Sequence, residues 1–257
     1  MIRFLTAGES HGPMLTGILE GIPAGLRLSP EDINRELARR QQGYGSGGRM
    51  QIEEDRARLT GGVMAGCSTG GPISIVIENR DWKNWSEKDI SPMTVPRPGH
   101  ADLTGAIKYG YRDLRLALER ASARETAMRV AIGAICKRLL DEFGIVIAGY
   151  VVEIGGEIAD LPEPPDYVAR FAAAEESDVR CPDPEASERI RAAIRQAKID
   201  KDTLGGLIEV VALHLPPGLG SFVHYDRRLT GRLAGAVCSV PSIKGVEIGT
   251  AFQNARR

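Results

Sequence analysis

The sequence predicts an α+β fold, in which helices and antiparallel strands are mixed without a repeating strand–helix order. Isoleucine occupies every second position of residues 73–77, which is the side-chain period of a strand. Ile33 and Leu37 lie four residues apart behind Ser29-Pro30-Glu31-Asp32, a capping sequence that indicates the start of an amphipathic helix. No G-x-G-x-x-G follows a predicted strand, so the pattern does not support a dinucleotide-binding fold.

The remaining elements follow from local patterns along the chain. Strands are expected at residues 2–6, 14–20, 71–79, 145–154 and 207–215. Helices are expected from Ser29, from the capping-box spacing of Ser122-Ala123-Arg124-Glu125 to about Phe143, and over residues 186–198. Residues 81–99 and 160–183 lack a period and are predicted to be loops.

Composition and charge narrow the class of protein. The 257 residues carry a formal net charge of -1, so a purely electrostatic nucleic-acid or membrane-surface binder is not indicated. No 18 apolar residues run together, and the start of the chain has no basic-then-apolar leader. The four cysteines form no C-x-x-C pair, which is typical of reduced thiols. We therefore expect a cytoplasmic protein.

Two histidines lie in polar turns flanked by glycine. His11 belongs to the turn Gly8-Glu9-Ser10-His11-Gly12, and His100 follows Arg97-Pro98-Gly99. Because an imidazole titrates near neutral pH, each ring can donate or accept a proton in a reaction. The alternative is that each ring only bonds a backbone carbonyl within its own turn, and the residue pattern leaves both interpretations open.

Arginines cluster in sequence near these turns and near the glycine-rich residues 43–48. Guanidinium groups match the paired oxygens of carboxylates and phosphates, and a glycine-rich loop or a helix start also suits an anion. The pattern therefore favours a small ligand with several negative charges over a set of solvated surface arginines. The residues concerned are Arg39, Arg40, Arg49, Arg97, Arg120 and Arg124.

Two other kinds of site have weaker support. Glu9, His11, His100 and Asp102 offer oxygen and nitrogen ligands, but no H-E-x-x-H or clustered Cys/His spacing is present, and the arginines would oppose a cation. A nucleophilic Ser10 is also weak, because its turn is not a G-x-S-x-G elbow. We expect no metal.

Six motifs, in order along the whole chain, resemble the chorismate synthase family. The motifs are Gly8-Glu9-Ser10-His11-Gly12, Arg39-Arg40-Gln41, Glu78-Asn79-Arg80-Asp81-Trp82, Arg97-Pro98-Gly99-His100-Ala101-Asp102, Glu119-Arg120-Ala121-Ser122-Ala123-Arg124-Glu125-Thr126 and Lys244-Gly245-Val246-Glu247-Ile248-Gly249. Six motifs at family-like spacing are far more specific than any one of them.

The resemblance implies a fold, a reaction and a cofactor. The fold would be a sandwich with helices between antiparallel sheets, formed by residues 1–257 as a single domain and assembled as a homotetramer. The reaction would be the 1,4-anti elimination of phosphate from 5-enolpyruvylshikimate 3-phosphate to give chorismate, the last common step of the shikimate pathway. Reduced FMN would be required without net redox change, and some family members also use NADPH to reduce it.

The resemblance also implies roles for individual residues. His11 would act as an acid at the departing phosphate, and His100 would lie near the flavin and maintain its protonation. The substrate anions would be bound by Arg40, Arg49, Arg97 and Arg124. FMN would be contacted by Arg120, Ala121, Ser122, Pro241 and Ser242. NADPH would be bound near Arg40 and Ser46.

Three departures from the family pattern affect these expectations. Ser46 stands where the family usually has an arginine, which weakens the expected NADPH or substrate contact there, although Arg49 can compensate. Cys67 and its neighbours replace a more basic stretch. The chain ends at Arg257, so the C-terminal portion of the family fold, with a phosphate-binding loop and a late Arg-Asp pair, is expected to be missing. The alternative function is therefore an impaired fragment that binds FMN or an anionic metabolite and exposes core surface.

Overall fold

A computed structural model describes residues 2–45 and 53–257. Its strands are β1 (Arg3–Ala7), β2 (Met14–Glu20), β3 (Ala57–Gly61), β4 (Val63–Met64), β5 (Cys67–Ser68), β6 (Ile73–Glu78), β7 (Val146–Ile154), β8 (Glu157–Ile158) and β9 (Gly206–Leu213). Its helices are α1 (Pro30–Gln41), α2 (Trp82–Trp85), α3 (Asp102–Tyr109), α4 (Arg115–Arg120), α5 (Glu125–Asp141), α6 (Tyr167–Glu176), α7 (Pro184–Asp200), α8 (Leu229–Cys238) and α9 (Ala251–Asn254). Within these ranges, no helix is both long and apolar enough to cross a lipid bilayer.

The strands form antiparallel sheets. The first sheet has the order β1-β2-β6-β3, and the second has the order β8-β7-β9. Strands β4 and β5 form a separate hairpin. Successive strands β1 and β2 pair directly, so the turn between them lies at one end of the first sheet.

Helix α5 lies between the two sheets. It packs against β1, β2 and β6 on one side and against β7 on the other, with α1 beside it. Met128 of α5 approaches Gly17 of β2 so closely that a Cβ at Gly17 would lie 2.5 Å from the Met128 sulfur. Ile75 and Ile135 are fully buried in the same core. This arrangement confirms the predicted α+β fold with helices between antiparallel sheets.

The second sheet is covered less completely. Ile190 of α7 and Cys181 pack with Val151 of β7 in a smaller core. Ile208 of β9 is 62% exposed, and Phe222, which follows this strand in the sequence, is 91% exposed. These two apolar side chains therefore lie at the surface.

The structure corrects three local predictions. Residues 81–99 contain the one-turn helix α2, and residues 160–183 contain α6. The predicted capping box at Ser122 is wrong, because α5 begins only at Glu125. The Glu125 carboxylate does not bond the Ser122 backbone but accepts hydrogen bonds from Thr6 and Arg129. The strands and helices predicted elsewhere are confirmed to within about two residues, which is the usual disagreement at element ends.

We predict that Ile75→Ala lowers the free energy of unfolding by about 2–5 kcal/mol, because it leaves a cavity under the first sheet. Ile199→Ala is the matched control, since Ile199 is 72% exposed and its truncation should change stability by less than about 0.5 kcal/mol. Urea unfolding of both variants measures the difference. Equal losses would show that Ile75 does not belong to the core on which the sheet depends.

Candidate active site

The His11 turn connects β1 to β2 at the end of the first sheet. Gly8 has a φ of +109°, and a Cβ there would lie 2.5 Å from the carbonyl oxygen of Met14, so glycine is required for this close approach. The side-chain amide of Asn79, which follows β6, donates to the carbonyls of Ser10 (3.4 Å) and Gly12 (2.7 Å). The turn is therefore fixed to the neighbouring strand by a single buried side chain.

The imidazole of His11 is partly buried and held by Glu119 of α4. The His11 Nδ1 atom lies 2.8 Å from Glu119 Oε1, and the His11 backbone N–H donates to Oε2 at 2.7 Å. The ring of Trp85 packs on His11 with a centroid distance of 4.0 Å. Trp85 is in turn held by a hydrogen bond from its indole nitrogen to Asp81, at 2.9 Å. His11 therefore has a defined orientation rather than the freedom of a surface side chain.

Arg124 forms the centre of a buried charge cluster beside this turn. Its Nε donates to the side-chain carbonyl of Asn79 (2.9 Å), and its Nη1 donates to Asp55 (2.6 Å). Its Nη2 atom is buried and lies 3.8 Å from Glu53, beyond hydrogen-bond distance, with no hydrogen-bond acceptor among the described residues. A buried N–H of a cation without an acceptor is costly, so this atom fits an anionic oxygen.

Arg40 joins the same cluster from the end of α1. Its guanidinium donates to Thr126 at 3.1 Å and approaches Asp55 at 3.5 Å. Burial lowers the pKa of Arg40; the Asp55 carboxylate opposes this effect, and the like charge of Arg124 adds to it. Two guanidinium groups are thus crowded together, which an added anion would relieve.

Arg97 and His100 occupy a separate turn before α3. Arg97 binds the buried Asp102 through two parallel hydrogen bonds of 2.8 and 2.9 Å. These bonds hold the pKa of Asp102 below its usual range, although burial acts in the opposite direction. The hydrogen bond to Asp102 raises the pKa of Arg97, and the charge of the Glu119 carboxylate acts in the same direction, whereas burial opposes it.

His100 itself is exposed. Its Nδ1 lies 2.8 Å from the carbonyl oxygen of Pro98 in its own turn. In the described part of the chain, no hydrogen bond or ring contact joins it to His11. Its predicted role beside a flavin stays a prediction.

One of the predicted FMN contacts, Arg120, begins a chain of hydrogen-bonded polar side chains at β1 of the first sheet. Arg120 donates to the hydroxyl of Thr6 at 2.8 Å, and that hydroxyl donates to Glu125 at 2.8 Å. Arg129 binds Glu125 and also donates to Ser239 at 2.9 Å. Pro241 and Ser242 lie two and three residues beyond Ser239 in the sequence.

Ser122 links this network to the His11 turn. Its hydroxyl donates to the hydroxyl of Ser10 at 3.1 Å and accepts from the Arg124 backbone N–H at 3.3 Å. Ala121 next to it is exposed. The structure thus brings together His11, Arg40, Arg120, Ser122 and Arg124, whereas Ser46 and Arg49 lie outside the described residues.

Sequence reasoning assigned no role to several residues of this site. Asn79, Asp81 and Glu119 lie within the quoted motifs. In the structure Asn79 holds the His11 turn, Asp81 holds Trp85 and Glu119 holds the imidazole, but local spacing does not indicate any of these contacts. Glu119 lies 108 residues from His11, so only the fold reveals the pair. Among residues 2–45 and 53–257, no group of three metal-ligating side chains is present.

A surface cavity lies elsewhere in the fold. It measures about 490 Å³ and is lined by residues of α1, α5 and α6, including Arg39 and Lys137. Arg39 pairs with Glu175 at 2.6 Å, and Lys137 pairs with Glu36 at 2.7 Å. Both of these cations therefore already have a carboxylate partner in the groove.

The fold thus places the buried Arg124 beside a turn whose histidine is held by Glu119. The family model for chorismate synthase matches residues 2–257. Chorismate synthases from Geobacillus kaustophilus (strain HTA426) and Aquifex aeolicus (strain VF5) are 53% and 54% identical to this chain. The alignments cover 100% of this chain and 69% and 68% of those proteins.

A solved structure described as a chorismate synthase gives the same result. It superposes with a TM-score of 0.85 at 48% identity, and the match covers 100% of this chain and 70% of that one. The chain therefore belongs to the chorismate synthase family.

We predict that the Arg97–Asp102 pair gives the protein a distinct loss of stability in acid. The folded pKa of Asp102 lies below its unfolded value of about 3.9, so the stabilisation is present above that value and is lost as the pH falls through the folded pKa. Asp102→Asn should show a smaller fall in unfolding free energy between about pH 6 and about pH 3. Asp89→Asn at an exposed position is the control and should keep the wild-type fall.

Proposed function

We propose that this chain catalyses the reaction of its family, the conversion of 5-enolpyruvylshikimate 3-phosphate to chorismate in the shikimate pathway, which leads to the aromatic amino acids. The observation that carries the proposal is the buried Arg124 Nη2, which has no hydrogen-bond acceptor among the described residues. The substrate has two carboxylates and one phosphate. It therefore supplies the anionic oxygens that a crowded guanidinium cluster requires.

His11 is the proposed acid of the reaction. In the 1,4-anti elimination, the C6 proton leaves as the carbon–oxygen bond to phosphate breaks, and the phosphate departs with the bonding electron pair. A proton from His11 neutralises charge on the departing phosphate oxygen. Arg40, Arg49, Arg97 and Arg124 are the proposed ligands of the substrate anions, which hold the phosphate against the imidazole.

Reduced FMN is the proposed cofactor. The proposed contacts are Arg120, Ala121, Ser122, Pro241 and Ser242, and their support is the polar network through Thr6 and Arg129, which offers cationic and hydroxyl donors to a phosphate-bearing ligand. When bound, reduced flavin supplies electron density that stabilises electron deficiency as the carbon–oxygen bond breaks. His100 is proposed to maintain the protonation of that cofactor.

The other proposals concern the setting of the enzyme. Residues 1–257 are proposed to form one domain. That NADPH binds near Arg40 and Ser46 and reduces the flavin stays a prediction. Homotetramer formation is supported by the exposed apolar side chains of β9 and the residues beyond it, including Ile208 and Phe222. A cytoplasmic location is supported by four free cysteine thiols.

The direct test is an anaerobic assay with the substrate and chemically reduced FMN. Equal amounts of chorismate and phosphate, insensitive to a chelator and absent with oxidised FMN, are expected. Phosphate released without chorismate would indicate a hydrolase and contradict the proposal. Flavin and substrate binding without turnover would instead favour the impaired binding fragment.

We predict that His11→Ala lowers kcat by about 100-fold to 10,000-fold with a small change in KM, because a general acid acts mainly in the transition state. His224→Ala is the matched control, since His224 is exposed and bonds Asp226 in its own turn. Its kinetic constants should equal those of the wild type. An unchanged kcat in His11→Ala would refute the acid role.

We predict that Arg124→Lys raises KM for the substrate by about 10-fold to 100-fold, because lysine keeps the charge but loses the guanidinium fork. The retained charge still faces Asp55, so the variant should fold. Arg39→Lys is the control, because Arg39 pairs with Glu175 away from the cluster. An equal change of KM in both variants would show that Arg124 does not bind the substrate.

A further inference from the structure

Glu119 contacts His11 with both oxygens of its carboxylate. Oε2 accepts from the His11 backbone N–H at 2.7 Å, and Oε1 lies 2.8 Å from the ring atom Nδ1. The Glu119 side chain is 14% exposed and that of His11 is 22% exposed. Such a pair is far better shielded from water than a surface ion pair.

The chemistry of these atoms determines which ring nitrogen carries the proton. A backbone N–H can only donate, so it occupies Oε2. An ionised carboxylate can only accept, so Nδ1 must donate its proton to Oε1. In the neutral ring Nε2 is then the unprotonated nitrogen, and in the cation Nε2–H is the proton that remains available for transfer.

Two further contacts restrict the plane and position of the ring. Trp85 packs on it at 4.0 Å between centroids, and the Trp85 indole is fixed by Asp81. The Ser10 backbone N–H donates to the carbonyl of Glu119 at 3.1 Å, so the turn and the end of α4 are joined next to the pair. Arg97 is also close enough to interact electrostatically with Glu119.

We propose that Glu119 is a positioning residue that fixes the Nδ1–H tautomer of His11 and directs Nε2 toward the leaving group. The proposal deepens the function proposed above and rests on His11 as its acid, but the tautomer itself can be measured without any reaction. Glu119 does not touch the substrate in this scheme; it acts through His11.

The decisive variant is Glu119→Gln, which is nearly isosteric. A glutamine offers only one acceptor oxygen, and the His11 backbone N–H needs it. The amide NH₂ then faces Nδ1, which must become an acceptor, so the neutral ring should switch to the Nε2–H tautomer. The same amide opposes the imidazolium, whose Nδ1–H would find a donor rather than an acceptor.

The tautomer is measured by NMR on protein labelled with ¹⁵N in its four histidine rings, at alkaline pH where the ring is neutral. The His11 signals are assigned by their loss in His11→Gln. The wild type should show a protonated Nδ1 and an unprotonated Nε2, and Glu119→Gln should show the reverse. An unprotonated Nδ1 in the wild type would overturn the proposal even if the variant did not fold.

Kinetics provide the second readout. Glu119→Gln should lower kcat by about 10-fold to 100-fold while KM changes by less than about threefold, because the substrate contacts are kept. Glu175→Gln is the control, since this carboxylate binds Arg39 and Arg180 elsewhere and its loss should leave kcat unchanged. A wild-type kcat in Glu119→Gln, with His11→Ala inactive, would overturn the positioning role.

The two proposals fail in different ways. If the tautomer switches as expected but His11→Ala keeps full turnover, the acid role of His11 is wrong and Glu119 only orients a non-catalytic ring. If His11→Ala is inactive but the tautomer does not respond to Glu119→Gln, the acid role stands and the positioning role of Glu119 is wrong.

Discussion

The arrangement of the candidate site depends on the side-chain amide of Asn79. It follows β6 directly, is 4% exposed, and donates to carbonyl oxygens of the His11 turn. Its own carbonyl oxygen accepts from Arg124 Nε at 2.9 Å. Only an amide offers donors and an acceptor at this size, so one residue sets the histidine-bearing turn and the buried guanidinium at a fixed distance from the sheet.

The charges around Arg124 make this region specific as well as rigid. Asp55 and Glu53 face it with carboxylates, and Arg40 adds a second guanidinium. Breaking a buried ion pair leaves an uncompensated charge, so no single member can be exchanged cheaply. Gln41 supports the cluster from α1, because its side-chain carbonyl accepts from the Asp55 backbone N–H at 3.2 Å. The C-terminal end of α1 thus helps to position Asp55, the carboxylate that pairs with Arg124.

The parts of the fold that follow a short-range pattern could be predicted from the sequence. The alternating isoleucines became β6, and Ser29 with Asp32 begins α1 as expected, the Asp32 carboxylate accepting from the Ser29 backbone N–H. Helix α6 was missed because its buried positions are Arg170 and Ala174, which give no apolar stripe. The capping box failed because Glu125 has tertiary partners that compete with the backbone.

The site could be predicted only as a set of residue types. Six motifs indicated that arginines and His11 belong together. In the structure Asn79 bonds both Arg124 and the His11 turn, and Arg40 approaches Asp55, the partner of Arg124. The pairing of His11 with Glu119 could not be read from the sequence, because the two residues meet only after α4 packs beside the first turn. Long-range pairs of this kind depend on tertiary structure and leave no local signal.

The Nη2 atom of Arg124, which has no hydrogen-bond acceptor among residues 2–45 and 53–257, would connect the stability of the fold to an anion bound there. A group that binds only the folded state stabilises it, and the stabilisation grows with the logarithm of the ligand concentration once that exceeds Kd. An anion paired with Nη2 therefore lowers the population of open chains that a protease can cut.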